Sequence, residues 1–184
     1  IKNAGLSLDD QAIKIKNPLS EELNVMRRSV AFGLYRNAVE NIRNGNTLGS
    51  LFEIGSVFKL QKDTAEQAKD SLYAEPRRMS FVSWGESTGI HAGTAPLVLN
   101  LRSTLEKLFQ SLQISAYSFV SAPSAPSFLH LGQWAQVVVE GQNVGYIGTV
   151  HPRLLSDEKI RVPMAIAELD LNQILKGQPR PVKF

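Results

Sequence analysis

From Ala12 to Lys16 apolar and basic residues alternate, the pattern of a short half-buried strand, and Asn17-Pro18 breaks it. Pro18 has no backbone donor and disfavours the helical region at Asn17. Ser20-Glu21-Glu22 then sets a hydroxyl and two carboxylates where a short helix begins. A stronger helix is predicted with Ser29 as its N-cap, running to about Asn44. Ala31, Leu34, Tyr35, Ala38 and Ile42 share one face at helical spacing, and Asn44-Gly45-Asn46 is a stop signal. Gly33 in the first turn weakens this helix by about 1 kcal/mol relative to Ala.

Leu51 to Leu60, rich in Phe, Ile and Val, reads as a strand, and Lys62 to Ala74 as a surface loop or solvated helix. A strand from Arg78 to Trp84 and a two-glycine loop from Ser87 to Gly93 precede a second helix, about Ala95 to Leu112. Its stripe is Leu97, Leu101, Leu105, Leu108 and Leu112. Ala116 to Val120 reads as a strand. Ser121 to Ser127 is rich in Pro and Ser but short enough to be a loop and not a domain linker. Trp134 to Glu140 and Val144 to Val150 form a hairpin turning at Gly141-Gln142-Asn143. Pro152 opens a short helix through Glu158. Met164 to Leu169 is a last strand, and Asp170 caps a last turn from Leu171 to Leu175. Hairpins without helices between most strands imply an α+β fold with a mostly antiparallel sheet flanked by helices. Residues 1–177 are expected to form one domain and 178–184 the start of a linker to a following one.

The 184 residues can bury a substantial core, and 43% hydrophobic with 20% charged residues is ordinary globular composition. The absence of cysteine excludes disulfides and thiolate metal sites. No apolar run approaches the roughly 20 residues of a membrane span. The N-terminus lacks both an initiator Met and an apolar signal core, so an excised fragment of a cytoplasmic protein is expected. A net charge of +3 is too balanced to argue for nucleic acid, and Arg27-Arg28 and Arg77-Arg78 read as solvated or paired clusters.

The usual signatures of chemistry are missing. Gly145-Tyr146-Ile147-Gly148 reads as continuous strand with no following helix, so its glycines serve curvature or close packing and not phosphate. His91, His130 and His151 lack metal-ligand spacing. His151, before Pro152, is expected to cap or to be a satisfied polar group, and His130 to lie in a turn. Phe52, Phe58, Phe81 and Phe119 stand among apolar neighbours and read as core, not as stacking platforms for bases. Glu53, on a strand between apolar neighbours, is either solvated or paired, with Arg27 and Arg28 as the partners in view.

Five segments in order carry a resemblance to a known family. They are Asn17-Pro18-Leu19-Ser20-Glu21 with Met26-Arg27 and Ser29; Leu51-Phe52-Glu53-Ile54-Gly55 with Val57-Phe58; Leu129-His130 with Gly132 and Ala135; Gly145-Tyr146-Ile147-Gly148 with Val150-His151-Pro152; and Ala167-Glu168-Leu169-Asp170-Leu171. Together, spanning about Ala12 to Leu175, they resemble the synthetase-like core of the phenylalanyl-tRNA synthetase β subunit family. The chain departs from the family at Phe32 and Leu131, where Pro is usual, and at Val98-Leu99-Asn100-Leu101-Arg102-Ser103, where Phe-Phe-Asp-Leu-Lys-Gly is common.

The resemblance implies a class II aminoacyl-tRNA synthetase-like core that carries no catalytic, cofactor-binding or metal-binding residue of its own. It implies a partner, the α subunit that performs aminoacylation in a heterotetramer using ATP and Mg, with tRNA reached through the holoenzyme and no membrane contact. The opening motif is the expected interface, at Asn17, Pro18, Leu19, Arg27 and Arg28, and an isolated fragment is expected to self-associate. The residues agree with a non-catalytic role, because neither Leu51 to Leu60 nor Pro163 to Leu169 contains an Arg to grip a phosphate. The alternative is a stand-alone class II synthetase-like enzyme or an effector-binding paralogue, which needs a pocket of convergent polar residues.

Overall fold

Helix α1 (Ala31–Arg43) and helix α2 (Leu97–Ser111) lie on opposite faces of one antiparallel sheet in the computed structural model. The structure describes residues 13, 15–17, 25–60, 73–85 and 96–176. In chain order the elements after α1 are β1 (Gly49–Ser56), β2 (Lys59–Leu60), β3 (Tyr73–Ala74) and β4 (Arg77–Trp84). After α2 come β5 (Tyr117–Val120), β6 (Leu129–Val139), β7 (Gln142–Val150), α3 (Pro152–Asp157), β8 (Met164–Asp170) and α4 (Leu171–Ile174). The large sheet runs β1-β4-β8-β7-β6-β5, and β2 and β3 pair separately. The α+β, mostly antiparallel expectation holds.

The central position of β8 explains its composition. All seven of its residues are buried, because it lies between β4 and β7 with cores on both faces. On the α1 face, Ala31, Leu34, Ala38 and Val39 pack with Val82, Trp84, Met164 and Ile166. On the α2 face, Leu101, Leu105 and Phe109 pack with Val137, Ile147, Ala165 and Ala167. The helical stripes predicted on α1 and α2 thus face the sheet, with Tyr35 and Ile42 at the margin of the first core.

Several expectations need correction. The predicted strand Leu51 to Leu60 is interrupted at Val57, whose N–H donates to Pro76 O, and it resumes as the short β2. The β6–β7 turn sits one step earlier than predicted, at Glu140 and Gly141, which both take positive φ. His130 is in β6 and not in a turn; its Nδ1 accepts from Gly132 N–H at 3.2 Å. Phe52 is 66% exposed, not core, because α2 covers β4, β7 and β8 but leaves this edge strand open beside Phe81. Residues 13 and 15–17 carry no strand, though Met26 N–H donates to Ile13 O at 2.9 Å. The segment Lys62 to Ala74, expected to be a surface loop or solvated helix, ends in the strand β3, because Tyr73 and Ala74 pair with Leu60 and Lys59. Its residues 62–72, Ser20-Glu21-Glu22, Ser87 to Gly93 and the tail from Gln178 lie outside the described residues.

Candidate functional site

The sheet's α1 face carries its polar chemistry in one neighbourhood, where the first turn of α1 meets β8. The N-cap of α1 is Val30, one residue later than predicted, and Val30 offers no side chain to the free N–H groups of the helix start. Glu168 supplies the acceptor instead. Its Oε2 accepts from Val30 N–H at 2.7 Å, Ala31 N–H at 2.9 Å, Ser29 Oγ at 2.8 Å and Ser80 Oγ at 2.9 Å. The Ser29 hydroxyl also accepts from Ala31 N–H at 3.1 Å. A buried carboxylate with four donors at a helix N-terminus is well compensated by dipole and hydrogen bonds. Beside it, burial and the Glu168 charge push the Tyr146 hydroxyl to a higher pKa, against the lowering effect of a hydrogen bond with Ser29.

Gly145 makes this crossing possible. It sits at φ +157° where β6 and β7 change register, and an added Cβ would collide with Glu168 O. The close-packing role expected for that glycine holds.

One turn of sheet further along, Arg78 Nη2 lies 3.3 Å from Asp170 Oδ2, with both side chains largely buried. Asp170 Oδ1 also accepts from Gln173 N–H at 3.1 Å, the predicted cap of the last turn. Lys59 is held below its ordinary pKa, first by burial and then by the Arg78 charge. A cleft of about 540 Å³ opens here, lined by Arg78, Asp170, Tyr146, Trp134, Gln136 and the Ser124–Pro126 loop, among others.

The predicted interface residues lie elsewhere. Arg27 is half-exposed and already engaged within the chain: Nη1 pairs with Glu53 Oε1 at 2.7 Å, and Nε donates to Ser56 O at 2.8 Å. Its guanidinium lies over Gly55, where a Cβ would collide with Nη2. The Arg27–Glu53 pairing read from the sequence is present, but it is partly solvated, not buried. Arg28 and Asn17 are exposed, and Pro18 and Leu19 lie outside the described residues. His151 caps α3 as expected, its Nδ1 accepting from Arg153 N–H. Sequence reasoning did not single out Glu168, Ser80 or Trp134. The one available signal was a carboxylate inside the apolar run Met164 to Leu169.

Comparison with known proteins agrees with this architecture. Solved pyrrolysyl-tRNA synthetases of Desulfitobacterium hafniense superpose with TM-scores of 0.66 and 0.63 at 16% and 15% identity. The first covers 95% of this chain and 55% of that one, and the likeness establishes a class II synthetase-like fold. A phenylalanine–tRNA ligase beta subunit of Bdellovibrio bacteriovorus is 45% identical over the whole chain and 22% of its own length. That of Francisella tularensis is 29% identical over 92% of the chain and 20% of its own length. The chain thus spans about a fifth of the length of these curated relatives. The family described as the phenylalanyl tRNA synthetase beta chain CLM domain matches residues 3–171, and the chain belongs to that family.

Proposed function

We propose that this chain is a non-catalytic, class II synthetase-like core of a phenylalanine–tRNA ligase β subunit, supporting assembly with a catalytic α subunit in a cytoplasmic heterotetramer. ATP, Mg, phenylalanine and tRNA would then be handled by the holoenzyme, not by this domain.

The observation that carries the reading is the place of Glu168. On this sheet face, the strongest cluster of donors among the described residues is spent on the chain's own carboxylate. A phosphate-gripping site needs such donors, or arginines, turned outward. The strand β8 brings none, and Arg78 is paired with Asp170.

ATP–pyrophosphate exchange tests the reading. The full β subunit alone is expected to show no phenylalanine-dependent exchange, and the α–β assembly to show it. Robust exchange by β alone, surviving repeat purification, would overturn the proposal. The interface assignment is separable: Leu19→Asp in the β subunit, co-expressed with α, is expected to weaken co-purification. Unchanged assembly would remove the opening motif from the interface.

A further inference from the structure

We propose that Asn44 is a modification site, deamidated through Gly45 when the C-terminal turn of α1 opens and shielded while that turn is closed. Asn44-Gly45 is the one Asn-Gly pair in the chain. Asparagine is a thermolabile residue, because the next backbone nitrogen can attack its side-chain amide. Glycine is the most permissive follower, having no side chain in the way and a freely bending backbone. Here the same glycine ends the helix, at φ +91°. Both residues are exposed, and nothing lies within 4 Å of where a Gly45 Cβ would stand. The reaction balances with water alone. The Gly45 nitrogen gives up its proton and bonds to the Asn44 side-chain carbonyl carbon, and the amide C–N bond breaks to release ammonia. Water then opens the cyclic imide at either carbonyl, leaving aspartate or isoaspartate.

The folded geometry opposes the first step. Asn44 is the C-cap of α1 at ψ 10°. At that angle the Gly45 nitrogen nearly eclipses Asn44's own nitrogen and is turned away from the Cβ that carries the amide. The Gly45 N–H also donates to Ile42 O at 3.0 Å, so the nucleophile is engaged. Asn46 keeps the turn in this shape. Its N–H donates to Asn41 O at 3.0 Å, its Nδ2 to Asn41 Oδ1 at 3.2 Å, and its carbonyl accepts from Trp84 Nε1 at 2.8 Å. Trp84 is 3% exposed in the first core, so the turn is pinned to the sheet. Attack therefore waits on a local opening of this cap, a motion that does not require the domain to unfold. The product does not return to the same cap. It sets a negative charge where the helix dipole favours a cation. Isoaspartate also routes the main chain through the former side chain, which lengthens it and displaces Asn46 from Asn41 and Trp84.

Peptide mapping by mass spectrometry on the aged full-length β chain tests this, reading aspartate and isoaspartate at position 44. Asn100, followed by the bulky Leu101, is the internal reference. In urea the unfolded chain is expected to convert Asn44 well before Asn100. In the native protein conversion at Asn44 is expected to be more than about tenfold slower than in urea. Trp84→Phe deletes the indole donor to Asn46, and conversion roughly fivefold faster than in the native wild type is expected. Asn46→Gly, at an exposed position, deletes the side-chain bond to Asn41 and loosens the turn. It is expected to speed conversion roughly threefold, and it carries the test if Trp84→Phe does not fold. Absence of conversion at Asn44 in urea would overturn the site. Equal rates in the native and unfolded chains would overturn the shielding, and an unchanged rate in the folded variants would remove the C-cap as its cause.

Discussion

Glu168 Oε2 and the backbone N–H of Val30, 138 positions apart in the chain, are joined by a hydrogen bond of 2.7 Å. The start of α1 is thereby completed by the last long strand and not by a local cap. Replacing Glu168 by Gln keeps the shape but turns a four-donor acceptor into a neutral amide with a second donor face. A loss of about 2–4 kcal/mol in urea unfolding is expected, since a buried, charge-assisted network is being broken. A loss below about 0.5 kcal/mol would mean that the carboxylate is not what holds the helix start.

Leu34 is 3% exposed and sits in the first core. Leu34→Ala is expected to cost about 2–5 kcal/mol, measured by thermal or urea melts. The helix face read from the sequence makes the same demand.

Arg27 and Glu53 are close, but their side chains remain 46% and 35% exposed. A double-mutant cycle with Arg27→Ala and Glu53→Ala is expected to give a coupling below about 1 kcal/mol, falling further in high salt. A coupling of several kcal/mol would show that the pair is dry in solution.

Burial and the neighbouring Glu158 carboxylate raise the Tyr35 hydroxyl from its ordinary 10.0 to about 12. The folded state therefore favours the neutral phenol more than the unfolded state does. Its contribution to stability is complete below pH 10 and lost as pH rises through about 12. Urea midpoints are expected to fall across that window, and to fall less steeply in Tyr35→Phe. An identical slope in the two proteins would remove Tyr35 from the alkaline transition. Tyr146, also shifted upward, keeps its own share of the slope in both.

Phe52 lies across from Phe81 in the β1–β4 register but is 66% exposed, with Ile54 beside it at 41%. Phe52→Asp is expected to leave stability within about 1 kcal/mol of wild type. If the isolated domain self-associates through this edge, the same change is expected to shift it towards monomer in sedimentation velocity. Unaltered association would place the contact elsewhere.

Helix faces were legible because a 3.6-residue period marks them locally: Leu34 and Ala38, or Leu101 and Leu105, announce a buried side on their own. Strand alternation says less. It puts Phe52 and Ile54 on one side of β1 and Glu53 on the other, but it does not reveal that β1 is an edge strand beyond the reach of α2. Burial of that face depends on sheet order, which is set by residues far away. The polar neighbourhood was illegible for the same reason. Glu168 is one carboxylate in an apolar strand until Ser29, Val30 and Ser80 converge on it, and Trp134 gives no sign of its empty donor. Of the opening motif, Arg27 engages Glu53 and Ser56 of its own chain at the surface.

The full burial of β8 bears on how the molecule comes apart. Met164 and Ile166 belong to one core and Ala165 and Ala167 to the other, so neighbouring peptide units serve opposite faces. Stripping α1 or α2 from the sheet would bare half of the same strand and weaken what remains. Within β8 neither side has a stretch of strand it can keep for itself. The two cores are therefore expected to melt as one cooperative unit, and the β8 amides to exchange with solvent only through that global opening, the slowest route in the domain.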